Sequence, residues 1–192
     1  PCPDRERLAD LHTRRDQLVE LRKKERTRLK EANDDVLTAS LEKVVAMLSG
    51  EIDHFEKLIN DHIKTNDAMR RDAALLETAP GVGPVTRTTL IAQLPELGTM
   101  SAKAVASLAG LAPFNHDSGR LRGKRCISGA RRRVRHALYL AALSAIKACD
   151  RYRAFYLRLC ERNQAKKIAI IAVARKLLTA LNAMIRDQKE FA

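Results

Sequence analysis

The sequence has four cysteines, Cys2, Cys126, Cys149 and Cys160, with no C-x-x-C pair and no histidine at ligand spacing from any of them. Neither a structural zinc site nor a disulfide framework is therefore expected, and a reducing compartment fits best. No apolar run approaches the roughly 18 residues needed to cross a bilayer, and no signal peptide opens the chain, so no membrane partner is expected. No stretch alternates polar and apolar residues at period two, the mark of a half-buried strand, so the expected fold is all-α. The chain opens Pro1-Cys2-Pro3 without an initiator methionine and is expected to be a piece of a longer protein.

Carboxylates become scarce after the first part of the chain. Residues 1–78 carry 15 Lys/Arg against 17 Asp/Glu, whereas residues 79–192 carry 21 against 6. The net charges are −2 and +15, which sum to the overall +13. A positive excess confined to one part of a chain is the footprint of a surface that neutralises phosphates. The competing reading is a solvated basic surface kept for solubility. At 192 residues, one domain plus an appendage is expected.

From Asp4 to about Asn33 the chain is mostly charged, with Leu8, Leu11, Leu18, Leu21 and Leu29 as its apolar points. The near-heptad spacing predicts a thin amphipathic helix whose narrow seam suits a partner helix. Asn33-Asp34-Asp35 reads as a turn. A second periodic run follows, with Leu41, Leu48, Phe55 and His62 seven residues apart. The two helices make an antiparallel hairpin or an intermolecular coiled coil, and His62 is expected to be a packed seam residue. Residues 1–72 are assigned to this element, with dimerisation or a higher homo-oligomer as its consequence.

Residues 73–192 form the second expected domain. Within it, residues 73–94 place Pro80-Gly81-Val82-Gly83-Pro84 between two apolar helical runs. That arrangement resembles a helix-hairpin-helix module, in which glycines let backbone N–H groups approach a phosphate at a helix N-terminus. Gly81 and Gly83 are the candidates. Arg87 stands where such hairpins carry a small residue, and either adds a phosphate contact or points outward. Ser101 is expected to cap a short helix over 102–109 that stops at Gly110.

The basic stretch, residues 115–136, is the focus of the domain. From Asp117 to His136 it holds eight Lys/Arg against one carboxylate: Arg120, Arg122, Lys124, Arg125, Arg131, Arg132, Arg133 and Arg135. Gly119, Gly123 and Gly129 suit a loop that wraps a polyanion, and Ser128 is placed to cap the helix that begins at Ala130. Cations at a helix N-terminus oppose the dipole by about 0.3 to 1 kcal/mol each, so stability does not explain them, whereas a phosphate opposite them does. Ser118 lies beside these cations, with His116 and Asp117 adjacent but no evident histidine base. Its surroundings alone favour a polar loop residue over a nucleophile. Three further helices are expected: one continuing through ALYLAALSAIKA, a short one over 154–162 after a break near 149–153, and an apolar one over 165–186. In the last, Ile168, Ile171, Leu178, Leu181 and Ile185 are the expected core residues and the helix is the expected scaffold.

PGVGPVT, GLAPFNHDSGRLRGKR, GARRRVRHALYLAALSA, FYLRL and KKIAIIAVARKLLTALNAMI together resemble the C-terminal half of the serine-type, bridge-RNA-guided insertion-sequence transposases, a family that includes the Piv-like DNA invertases. The likeness covers about residues 75–187. It implies a recombinase whose serine in the D-S-G motif, here Ser118, attacks DNA. It also implies that magnesium is held by acidic residues of an upstream nuclease domain, so that this chain has no metal ligand or cofactor of its own. DNA and a guide RNA are the implied partners, and the bacterial cytoplasm, on the nucleoid, is the implied location. A chain without the nuclease domain is expected to be inactive alone. The alternative is a non-catalytic helix-hairpin-helix DNA-binding module on a coiled-coil dimeriser. A third reading makes the hairpin a pure oligomerisation element.

Overall fold

The computed structural model describes residues 2–112 and 131–191, together with the backbone of 117–118 and 121–122. Among the described residues it is all-α: α1 (Pro3–Glu31), α2 (Asp35–Thr65), α3 (Asp67–Glu77), α4 (Pro84–Gln93), α5 (Ala102–Leu108), α6 (Arg132–Ala148), α7 (Asp150–Glu161) and α8 (Lys166–Asp187). A two-residue antiparallel ladder, β1 (Asp117–Ser118) with β2 (Leu121–Arg122), is the one extended pairing among them. The chain divides into two compact units, residues 1–70 and 71–192.

In the first unit α1 and α2 pair as a hairpin within one chain. In the segment expected to be a turn, the Asp34 side chain accepts from the Leu37 amide at 2.9 Å and starts α2. Leu48, Ile52, Ile59 and Ile63 lie buried at four- and seven-residue spacing on α2, and Leu18 of α1 packs with Leu48 and Ile52. The α1 seam differs from its leucine pattern. Leu21 is 43% exposed, while the neighbouring stripe carries arginines that reach α2. Arg15 donates through Nε and Nη2 to Glu56 Oε1 at 3.0 and 2.6 Å, and Arg22 donates to Ser49 Oγ at 3.2 Å. These polar bonds fix the register that a sparse apolar seam leaves loose. His62 is only half-buried and bonds the Asp4 carbonyl oxygen at 2.7 Å through Nε2. The deeply buried histidine of the hairpin is His12, at 3% exposure.

In the second unit α8 contacts α5, α6 and α7, and α6 also contacts α4. Ala169, Val173, Ala174, Leu177, Leu178 and Leu181 of α8 are fully buried, opposite an α6 face of Val134, Leu138, Ala142 and Ala145. Small side chains on both helices let the backbones approach closely, which maximises dispersion contacts. Ile168, expected in the core, is 57% exposed because it falls a quarter-turn off this stripe, and Ala169 and Ile170 take its place. Among the described residues, α8 is the one helix long and apolar enough to cross a membrane by length and composition, where no such run was expected. Half of that window is buried inside the fold. Only Cys149 separates α6 from α7, so the expected break over 149–153 is a single residue. Arg153 makes this possible by donating to the carbonyls of Ile146 and Lys147 at the end of α6.

Candidate nucleic-acid interface

Ala79 to Val82 form a type II turn, closed by the Val82 amide donating to the Ala79 carbonyl at 3.2 Å, with Pro80 and Gly81 in the middle. Gly81 has φ +82°, which disfavours any side chain. A Cβ there would also sit 2.3 Å from the Ala141 carbonyl oxygen and 2.6 Å from the Ala145 nitrogen. Gly81 is therefore the point at which the turn lies against α6, a packing role that differs from the phosphate contact expected of it. Gly83 is unlike it. It is the exposed N-cap of α4, no atom lies within 4 Å of a built Cβ, and no side chain caps the helix. The first turn of α4 therefore has no side-chain cap, and its first residue, Pro84, carries no N–H.

Arg87 requires a correction. It neither points outward nor faces a ligand: it is 9% exposed, and its Nη1 donates to Glu77 Oε1. The ion pair joins the end of α3 to the first turns of α4 across the glycine turn. Thr86, Thr88 and Thr89 are buried beside it, so this segment of α4 is covered on most sides.

Arg131 is also engaged. It occupies the N-cap position of α6, and its Nη1 and Nη2 donate to the two carboxylate oxygens of Glu96 at 2.5 and 2.7 Å. The hydrogen bond to Glu96 and the charge of Glu96 hold the guanidinium above its ordinary pKa, against the lowering effect of partial burial. The α6 helix begins at Arg132, two residues later than its sequence suggests. Glu96 lies in the turn after α4, and that turn is held by Asn182 of α8, 2% exposed. Asn182 Oδ1 accepts from the Gly98 amide at 2.8 Å, and its Nδ2 donates to the Met100 carbonyl at 3.0 Å. Gly98, at φ +84°, presses on Ile185 of the same helix. Ser101 then caps α5 as expected, bonding the Ala104 amide at 3.3 Å.

Glu96 and Asn182 escaped the sequence reading. Asn182 leaves a usable signal, since it is an amide four residues beyond Leu178 on the core stripe of an apolar helix, where a buried polar group needs partners. Glu96 leaves none, because its partner is 35 residues away.

Arg132 and Arg133 are exposed in the first turn of α6, which contains no acidic residue, and Arg135 is half-buried. The side chains of Ser118 and Arg122, and all of Arg120, Lys124, Arg125 and Ser128, lie outside the described residues. The backbone ladder pairs Asp117 with Arg122 and Ser118 with Leu121, a local hairpin within the stretch expected to be an open loop. Among the described residues no group of three or more His, Cys, Asp or Glu is placed to hold a metal ion.

Residues 73–157, from α3 to α7, match the family model described as Transposase IS116/IS110/IS902 family. The pilin gene-inverting protein of Moraxella bovis is 34% identical over 174 residues, 88% of this chain and 53% of that protein. Its counterpart in Moraxella lacunata gives the same identity and coverage. The Insertion element IS116 uncharacterized 44.8 kDa protein of Streptomyces clavuligerus is 31% identical over 159 residues, 78% of this chain and 40% of that protein. The chain thus spans about half the length of the curated relatives it matches. The match also corrects the enzyme class: IS116/IS110/IS902 transposases are of the RuvC-like, DDE kind and not serine-type. The nucleophile role given to Ser118 falls with that class.

Proposed function

We propose, from the premise that residues 73–157 are a domain of the IS116/IS110/IS902 transposase family, that this chain is the DNA-engaging part of a transposase or DNA invertase. The observation that carries the reading is the pair Arg132 and Arg133, exposed at the positive pole of α6 with no carboxylate in that turn. Two cations there oppose the helix dipole, and a phosphate opposite them converts that cost into binding. The Gly83 amide and the uncapped first turn of α4 behind Pro84, which has no N–H of its own, supply a second phosphate contact, in the manner of a helix-hairpin-helix, which grips the backbone without reading sequence. Phosphodiester chemistry then falls to metal-binding carboxylates in the part of the relatives' length that this chain does not span, with magnesium as their ion. The α1–α2 hairpin supports self-association, and a guide RNA is a further partner of the whole protein in the bacterial cytoplasm.

The matched segment runs through α3 to α7, and this favours a recombinase part over a free-standing binding module. Fluorescence anisotropy on a labelled DNA duplex between 50 and 200 mM salt tests the reading. Arg132→Gln with Arg133→Gln is expected to weaken binding and to reduce the log–log salt slope by about 0.9 for each phosphate that is no longer neutralised. An unchanged slope would reject the interface.

A further inference from the structure

A second group of cations lies on α7 and α8, away in sequence from the basic stretch. Phe155 and Arg158 lie three residues apart on one stripe of α7, and Arg162, four residues on, is the C-cap of that helix. Two of the cations converge on one ring: Arg158 Cζ lies 5.7 Å and Lys176 Nζ 4.5 Å from the Phe155 centroid. Arg158, Arg162 and Lys176 are exposed, as is Lys166 in the first turn of α8. No salt bridge to a carboxylate is made by any of the four among the described residues, although Glu161 stands three residues from Arg158. The α8 helix has no side-chain cap and no acidic residue in its first turn, so Lys166 adds positive charge to an already positive pole.

Like charges gathered around one aromatic ring repel each other, and the ring quadrupole offsets only part of that repulsion. A polyanion removes it. From Lys166 to Lys176 the patch extends about 15 Å along α8 at 1.5 Å per residue, close to the axial rise of four nucleotides at about 3.4 Å per strand. Cations interleaved with a half-exposed aromatic side chain are the chemistry of backbone-tracking, base-tolerant nucleic-acid grooves. From these observations we infer that the α7–α8 face is a second phosphate-backbone site, so that the chain holds two segments of nucleic acid, one at the start of α6 and one here. The inference rests on the proposed function only in taking nucleic acid as the polyanion. DNA and RNA share the phosphate chemistry, and the choice between them is left to the measurement.

The test uses the full chain and two variants: Arg158→Gln/Arg162→Gln/Lys166→Gln/Lys176→Gln, and Arg132→Gln/Arg133→Gln. Each is titrated against a labelled DNA duplex and a labelled single-stranded RNA across a salt series, with circular dichroism and thermal melting to verify folding. The four-site variant is expected to melt like the parent and to lose about 3 to 3.5 units of salt slope, at about 0.7 to 0.9 for each of four phosphates. Loss on one probe only identifies that nucleic acid as the occupant, and loss on both identifies a site for either backbone. Should the four-site variant fold poorly, Lys166→Gln/Lys176→Gln alone is expected to lose about 1 to 2 units. Slopes equal to the parent on both probes overturn the second site, and the loss in the α6 variant then leaves the proposed function standing. A parent chain that binds neither probe overturns both.

Discussion

Arg131 grips both carboxylate oxygens of Glu96 with the two terminal nitrogens of its guanidinium, and the fork fastens the start of α6 to the turn that follows α4. The end of the basic stretch is therefore held at a fixed place in the fold, and among its described residues Arg132 and Arg133, just beyond this anchor, are exposed. Because the pair is about one-third exposed on the arginine side, solvent screening reduces its worth to about 1 kcal/mol. Glu96→Gln is expected to lower the unfolding free energy by that amount, read as a lower urea midpoint at an unchanged m-value. Arg131→Lys, which cannot fork, is expected to do the same. A midpoint equal to the parent's in both variants would show that the anchor holds nothing.

The two glycines of the α3–α4 turn should respond in opposite ways. Gly81→Ala forces a side chain into a left-handed backbone conformation and into contact with the α6 backbone, and is expected to cost at least about 2 kcal/mol. Gly83→Ala meets no atom within 4 Å and is expected to cost less than about 1 kcal/mol. Thermal unfolding of the two variants side by side decides this, and equal losses would refute the packing assignment of Gly81.

Asn182→Ala removes both partners of the turn after α4 at once. The Gly98 amide and the Met100 carbonyl each lose the bond they have in the protein, at about 1 to 3 kcal/mol for each group left unsatisfied. Hydrogen exchange gives the sharper test, since the Gly98 amide should lose protection more than the amides in the middle of α8. Uniform loss across the unit would mean that Asn182 acts through α8 packing alone.

Tyr152 carries a pH dependence. Burial raises its phenol above the ordinary value of 10.0, and nearby Arg151 opposes the shift. The unfolded chain then loses its proton first as pH rises past about 10, so stability is retained below that value and falls through the interval up to the folded pKa. Melting temperatures between pH 8 and 11 should decline more steeply for the parent than for Tyr152→Phe. Parallel curves would contradict it.

Much of the architecture is legible in the chain because its cause is local. The α2 stripe, the turn at residues 33–35, the Ser101 cap and the stop at Gly110 depend on residues within a turn or two of each other, and each stands close to its expected place. The expectations that fail depend on residues far apart. Arg87 is turned inward by Glu77, ten positions earlier, and Arg131 is claimed by Glu96, so two of the cations assigned to ligand contact serve the fold instead. Gly81 reads as a special backbone position, but its reason lies in α6, some 60 residues on. The exposure of Leu21 and Ile168 shows the same limit, because an apolar residue near the margin of a helical stripe is settled by the neighbour it meets.

The position of α8 in the chain has a consequence for the order in which the protein is made. The α1–α2 hairpin closes through contacts within its own segment and can form while later residues are still in the ribosome. The second unit cannot, since α5, α6 and α7 all pack on a helix that follows them. At roughly 5 to 20 residues per second, the apolar face of α6 waits about 2 to 8 s after Ala148 is made before Asp187 completes its cover. In limited proteolysis of ribosome-stalled chains of increasing length, the hairpin is expected to become resistant early. Protection of α6 should appear only after α8 has emerged.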